Sequence, residues 1–472
     1  MVAGRTKSAT PIGKRGFSPV PIEKRRSRAG WKSSTPPRRP RRGTSSPAIP
    51  ICSTSTGRSS RGGRSRSSSS CKPGASASGR PRGEPSRGVR TRRRGATRSS
   101  GVPCSRKRAR HFSSRSSVRV PSGRVDRANL VACLQRQARG CGLLGSPFYE
   151  TVLGHLIGDV VADGPTWDVL QQYSGEPFDA AVALRFLGAV HRLVLDGRAP
   201  ALARHYPSVG GDGDPDAAWA NLRALLLSHG AALAAYLERP PQTNEVARTA
   251  ALVGGFLTLA RERALPLRLL EIGASAGLHL RFDRYRYDAG DLAFGDPASP
   301  VHFVGLWDGT PPFDATCTVA VRAGCDVDPV DPTTEEGRLT LTSYVWPDQK
   351  ERLADLGGAL EVAARVPANI ARAAAPEWLG QNLAQPMTGV ATVVFHSIVW
   401  QYLSAADRER VRRTIEEAGI RATAGAPLAW LRFEPSADRA CAEVRLRSWP
   451  GGEDRLLARA GYHGRPVQWL AA

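Results

Sequence analysis

The first leucine of this chain is Leu130, and a stretch of 124 residues without one cannot enclose a core of its own. Residues 1–124 also lack Asp, Asn, Gln and Tyr, while holding 27 Ser, 33 Lys or Arg and only two acids, Glu23 and Glu84. So little apolar surface cannot offset the entropy of ordering the backbone, and the segment is expected to be disordered. It carries the whole excess of positive charge: the chain's formal net charge is +25, yet the part after residue 124 is mildly acidic. Two readings of this quarter stand. One is an Arg/Ser-rich arm meeting nucleic-acid phosphates through runs such as Arg92-Arg93-Arg94 and Arg106-Lys107-Arg108. The other is a GC-rich stretch translated in a wrong frame, ahead of a start codon at Val118, Val120 or Val125. Nucleic acid is a partner only on the first.

Residues 125–265 read as a helical domain. Phe178, Val182, Phe186, Val190 and Leu193 fall on one stripe that stops at Gly197. A second helix begins near Asp216 and ends at Pro240-Pro241, with Trp219, Leu222, Leu226, Leu233 and Leu237 facing one way. A third runs from about Asn244 to Arg263. No convincing strand precedes Leu267. The eight cysteines form no C-x-x-C pair and no Cys/His cluster with zinc spacing, so no metal site is expected and reduced thiols point to the cytoplasm. The longest apolar run, Ala250 to Ala260, is too short to span a bilayer, so no membrane partner is expected.

From residue 266 to 472 strands alternate with helices, the mark of an α/β protein with a mostly parallel sheet. The expected strands are LRLLEI from Leu267, TVAVRAGCDV (318–327), RLTLTSYVW (338–346), VATVVFHSIVW (390–400) and APLAWLRFEP (426–435). CAEVRLRSW and RPVQWL are expected to close the sheet as an antiparallel pair. A helix starting at Pro347 should reach Arg365, and Ser404 should cap another, with Asp407 in capping-box position and Gly419 past its end.

The most informative stretch is LRLLEIGASAGLHL (267–280). A buried strand ends in an acid, Glu271, and gives way to Gly273, Ala274, Ser275, Ala276 and Gly277, with an amphipathic segment expected to be helical after them. Such a bare turn lets a ligand approach the backbone. It also satisfies G-x-S-x-G, the nucleophile elbow of serine hydrolases, with Ser275 as nucleophile and His463 and Glu434 as its later partners. The context argues against that, because the preceding segment looks helical and no oxyanion loop precedes the turn.

The same turn resembles the first motif of the class I S-adenosylmethionine-dependent methyltransferases, with Glu271, Gly273 and Gly277 in place and Ser275 where the middle glycine is usual. That resemblance covers 267–472 loosely and implies a Rossmann-like sheet, S-adenosylmethionine as cofactor and a small-molecule substrate. Gly273, Ala274, Ser275 and Gly277 would then admit the methionine part of the cofactor, Glu271 would orient its ammonium, and Asp326 (Asp328 in reserve) would hold the ribose hydroxyls. Arg248, with Asn244 nearby, would bind its carboxylate. His396 and Ser397, ending the central strand, would flank the reacting methyl, His396 as general base. The acid usual after the third strand is missing: Arg372-Ala373-Ala374-Ala375 stands there. Blander roles exist for each, namely a turn-capping Asp326, a helix-capping Glu271 and a structural His396. A third reading is a non-catalytic ligand-binding relative. Over about 126–472, TNEVART, EIGASAGLHLRFDRYRY, GCDVDPVD, YVWPDQ and VVFHSIVWQYL resemble more closely a bacterial family known only as a domain of unknown function.

Overall fold

The structure, a computed structural model, describes residues 125–471. The expectations for residues 1–124, disorder and a nucleic-acid arm, lie outside the described residues.

Seven helices come first: α1 (Arg127–Leu143), α2 (Pro147–Val161), α3 (Pro165–Leu170), α4 (Val182–Leu195), α5 (Pro200–Ala203), α6 (Pro215–Leu237) and α7 (Arg248–Arg263). Aliphatic and aromatic side chains of the first six, such as Leu134, Leu153, Phe186, Val190 and Leu222, bury one another in a core of their own, which Trp346 joins from far along the chain. α7 behaves differently. Val253, Phe256 and Leu257 pack on the sheet and belong to its core. α7 also starts later than expected, at Arg248, because groups of Asn244 and Glu245 are engaged elsewhere: the Asn244 side chain accepts from Leu278 N, and the Glu245 carbonyl accepts from His279.

After α7 come β1 (Leu267–Ile272), β2 (Arg286–Ala289), β3 (Leu292–Phe294), β4 (His302–Val304), β5 (Trp307–Asp308) and β6 (Val319–Asp326). Then follow α8 (Glu335–Ser343), α9 (Lys350–Arg365), β7 (Asn369–Arg372), α10 (Ala375–Asn382), β8 (Ala391–Ser397), α11 (Ala405–Ile420), β9 (Leu428–Pro435), β10 (Ala442–Trp449), β11 (Asp454–Ala460) and β12 (Val467–Trp469). No described residue before Leu267 is in a strand.

Nine strands form one sheet in the order β5-β12-β11-β10-β9-β8-β1-β6-β7, and β2, β3 and β4 form a small second sheet. The five strands β7, β6, β1, β8 and β9 are parallel to one another, and β10 joins β9 antiparallel. Numbered along the chain, these five lie side by side as third, second, first, fourth and fifth, the order of a doubly wound sheet. Alternation along each strand sends side chains to two layers. Leu267, Leu269, Val393 and Phe395 meet α7 and α9. Leu270, Ile272 and Val394 meet α10 and α11.

Four expectations need correction. RLTLTSYVW is not a strand, because Thr334 caps α8 through Gly337 N and Glu335 and Glu336 occupy its first turn, where carboxylates are favoured. No α-helix follows the 273–277 turn. His279–Arg284 is a short 3-10 segment, since the carbonyls an α-helix would use are taken by side chains: Arg281 donates to Ala276 and Gly277, Tyr285 to Leu278, and Tyr287 to Phe282. The closing pair is also misassigned, for β10 pairs with β9 and β11, while β12 pairs with β11 and β5. Gly419 lies inside α11, where a Cβ would overlap the Trp449 ring. The Ser404 cap is as expected, accepting from Asp407 N at 3.0 Å.

Among the described residues no helix is long and apolar enough to cross a membrane, and no group of three or more His, Cys, Asp or Glu is placed to hold a metal ion.

Candidate functional site

A cavity of about 380 Å³ opens across the carboxyl ends of β6, β1 and β8, at the point where strand order reverses. Doubly wound sheets bind ligands at that crevice, and the volume suits a small organic molecule. Ile272 and Gly273 form its floor at the end of β1, Asp326 stands at the end of β6, and Ser397 and Ile398 at the end of β8. Its roof comes from the helical region, through Asp179, Pro240 and Pro241.

The turn after β1 is held in an unusual conformation. Gly273 and Gly277 have φ near +66°, and Ser275, which has a side chain, is at +51°. Asp326 explains how Ser275 is kept there: its Oδ2 accepts from Ser275 N at 2.9 Å, and its Oδ1 accepts from Asp328 N at 2.9 Å. Across the cavity Ile398 has φ of +52°, costly for a β-branched residue, and its N–H donates to Phe433 O at 2.9 Å. Strain of about 1–3 kcal/mol per residue persists where surrounding structure over-determines it, commonly at ligand sites. A Cβ on Gly273 would overlap Val399 Cγ2. Gly273→Ala therefore combines a poor φ with a clash and should cost about 2–4 kcal/mol in chemical denaturation. A loss below 1 kcal/mol would show that the turn is not locked against the β8 loop.

Not every residue singled out in the sequence reaches the cavity. Gly273, Ser275, Asp326, Arg248, Asn244 and Ser397 line it; Ala274, Gly277, Glu271 and His396 do not. Ala274 packs against Gly324, and Gly277 allows the close approach of Ile370. Asp328 is turned outward to Arg372.

His396 is a correction. Strand alternation puts it on the α10–α11 side, stacked on Trp400 with ring centroids 5.0 Å apart. Its Nδ1 lies 2.6 Å from Glu434 Oε1, and its Nε2 accepts from the Trp430 indole N–H at 3.1 Å. Indole nitrogen only donates, so this is a neutral imidazole with the proton on Nδ1 and no free nitrogen to serve as base.

Glu271 is buried on the opposite side. One oxygen is 2.8 Å from His279 Nδ1, and His279 Nε2 is 2.8 Å from the Glu245 carbonyl, to which it must donate. The second oxygen, Oε2, is buried without a hydrogen-bond partner among the described residues. Burial pushes this carboxyl above its usual range, against the pull of His279.

The hydrolase arrangement is not assembled. Ser275 Oγ donates to Gln242 Oε1 at 2.7 Å instead of to an imidazole. Glu434 Oε1 is taken by His396 and by the N–H groups of Val399 and Trp400. His463 packs edge-on against Trp346.

Sequence reasoning missed Gln242. It joins the segment before α7 to the turn, accepting from Ser275 and donating to Asp328 O at 3.1 Å. A polar residue directly after Pro240-Pro241 and ahead of TNEVART was the available signal.

These features define an α/β protein whose parallel strands present a strained, ligand-sized cavity at their switch point. The chain belongs to the DUF2332 family, described as an uncharacterized protein conserved in bacteria, whose model matches residues 131–469. The resemblance carried by TNEVART, GCDVDPVD, YVWPDQ and the two longer motifs is thereby borne out. No curated protein and no solved structure matches the chain.

Proposed function

We propose that this protein is an S-adenosylmethionine-dependent methyltransferase acting on a small molecule, on a Rossmann-like sheet. The observation that carries the reading is the cavity's position at the β1–β8 switch point, with the positive-φ turn on one side and a carboxylate, Asp326, at the end of the neighbouring strand. Asp326 spends one lone pair of each oxygen on backbone N–H groups and keeps others for ribose hydroxyls. Ala373 and Ala375, at the end of β7, offer the adenine ring an apolar wall where a carboxylate is more usual.

The cofactor supplies an activated methyl group. The chain's own part is to hold acceptor and methyl in line, which alone accounts for large accelerations, and to exclude water beneath the helical roof. His396 has no place as base in this reading. The five free cysteines among the described residues support a cytoplasmic setting.

Isothermal calorimetry with S-adenosylhomocysteine tests the proposal. Micromolar binding is expected, and Asp326→Asn, which keeps an acceptor but removes the charge, should weaken it by about 10-fold or more. No heat and no thermal shift at millimolar ligand would remove the methyltransferase and leave a binding protein for some other molecule.

A further inference from the structure

The proline part of the cavity's roof is fastened to the floor through one side chain. Leu237, at the end of α6, is sunk in the helical core, and from Asn244 onward the chain is tied to the sheet side by Leu278 N and Arg352. Between these anchors Glu238, Arg239 and Pro240 are exposed, and the chain dips inward again at the buried Gln242. Pro240 and Pro241 have fixed φ and no N–H to donate, so this strap is stiff and its backbone has little with which to grip what it covers. Among the described residues, the hydrogen bonds of residues 238–243 to the sheet and its loops are two, both from Gln242. Its Oε1 accepts from Ser275 Oγ at 2.7 Å, and its Nε2 donates to Asp328 O at 3.1 Å. Neither reaches the opposite wall, where Ile398, Val399, Tyr402 and Leu403 line the cavity beyond the end of β8.

Gln242 thus grips both the turn after β1 and the loop after β6. Those two are joined to each other by Ser275 N donating to Asp326 and by Val330 N donating to Ser275 O at 3.2 Å. Ser275 is the costly member of the set. Gly273 and Gly277 hold the same left-handed φ without a Cβ, and a glycine at 275 would do so as easily. What the serine adds is a hydroxyl, and that hydroxyl is spent on Gln242. Gln242 and Ser275 also line the cavity, so the bond that holds the strap down sits where a ligand passes.

We infer that Gln242 is the latch of a gated cavity: the strap from Glu238 to Thr243 lifts when the Gln242–Ser275 bond breaks, and a small ligand enters and leaves through that opening. Gln242 is a positioning residue, acting on the ligand through the strap and the turn. A neutral hydrogen bond of this kind is modest in net worth, so the latch opens often enough to gate binding as lids do. The gate serves any small ligand of the cavity and does not rest on the methyltransferase reading.

Hydrogen exchange on the ligand-free protein reads the latch directly. Gln242→Ala and Ser275→Ala should each speed exchange of the peptides carrying the Ser275 and Val330 amides by about 10-fold, while β1 and α7 stay as protected as in the wild type. The double variant should go no further than either single one, because both changes break the same bond. Each single variant serves if the other fails to fold. Exchange equal to that of the wild type, or additive effects of the two changes, overturns the inference. Stopped-flow binding of S-adenosylhomocysteine then tests the gate. Gln242→Ala should raise association and dissociation rates together, by about 10-fold, and move Kd by less than about threefold. Faster dissociation with an unchanged association rate would make Gln242 an ordinary ligand contact and overturn the gate. If S-adenosylhomocysteine does not bind the wild type, the methyltransferase reading is lost, and the exchange experiment alone decides the latch.

Discussion

Arg352→Met should lower the free energy of unfolding by about 3–5 kcal/mol, the cost of leaving a buried partner charge without its counter-ion. Glu245 and Arg352 are both almost wholly buried, and Arg352 meets Glu245 Oε2 through Nε at 2.6 Å and through Nη2. Burial alone would raise the Glu245 carboxyl; the guanidinium beside it instead holds it down at about 2. The pair also joins parts distant in sequence. Arg352 lies over the Trp346 ring and donates to Gln349, whose own amide donates to Leu144 O in the helical region at 2.7 Å. Urea denaturation checks the value. The double variant Glu245→Met/Arg352→Met should recover at least half of the loss, because two apolar side chains substitute for a buried ion pair far better than one orphaned carboxylate does. A single-variant loss under about 1 kcal/mol would mean that water reaches the pair.

The second large effect is on acid stability. His191 is wholly enclosed, with Nδ1 3.1 Å from Ser343 O and Nε2 2.8 Å from Ser208 Oγ, and burial brings its pKa down to about 4. Burial, and then the Arg352 charge, bring His463 down to about 3. The unfolded chain takes up a proton at each near pH 6.5, whereas the folded chain does so only below 4. Between these limits the unfolded state binds more protons, so stability is complete above pH 6.5 and falls as the pH drops toward 4. Each histidine should contribute a loss of about 3 kcal/mol by pH 4. Glu271 and Asp355, whose carboxyls burial raises, act in the opposite direction over part of this range. Comparison with a variant isolates the histidine: His191→Gln should flatten the slope of stability against pH by nearly one proton between pH 6 and 4.5. An unchanged slope would mean that His191 is protonated in the fold.

What the sequence revealed, and what it hid, follows from where competing side chains sit. β1, β8 and β9 could be read because predominantly apolar runs such as VATVVF occur in strands buried on both faces, and the only partly buried β6 from its small and β-branched residues. β11 went unread because Asp454, Arg455 and Arg459 break its pattern, although Leu457, Ala458 and Ala460 are buried. α8 was mistaken for a strand on alternating Leu and Thr, a short-range pattern overruled by its cap. The loss of the helix after Gly277 was invisible, since it depends on Arg281, Tyr285 and Tyr287 reaching back to carbonyls that only the folded chain presents. Of the cavity's lining residues, those of the turn, Asp326 and Arg248 were legible from motif and position. His396 was not, although alternation already forbade adjacent His396 and Ser397 from facing the same way.

Both borders of the large sheet are short: β7 has four residues and β5 only two. An outermost strand is where a sheet recruits foreign chains, because its outward N–H and C=O groups lack mates. Here each rim leaves few such groups in a row, and the long strands β8, β9 and β10 are all enclosed by neighbours. The architecture thereby blunts its own tendency to polymerise, and nine strands can lie side by side without inviting a tenth.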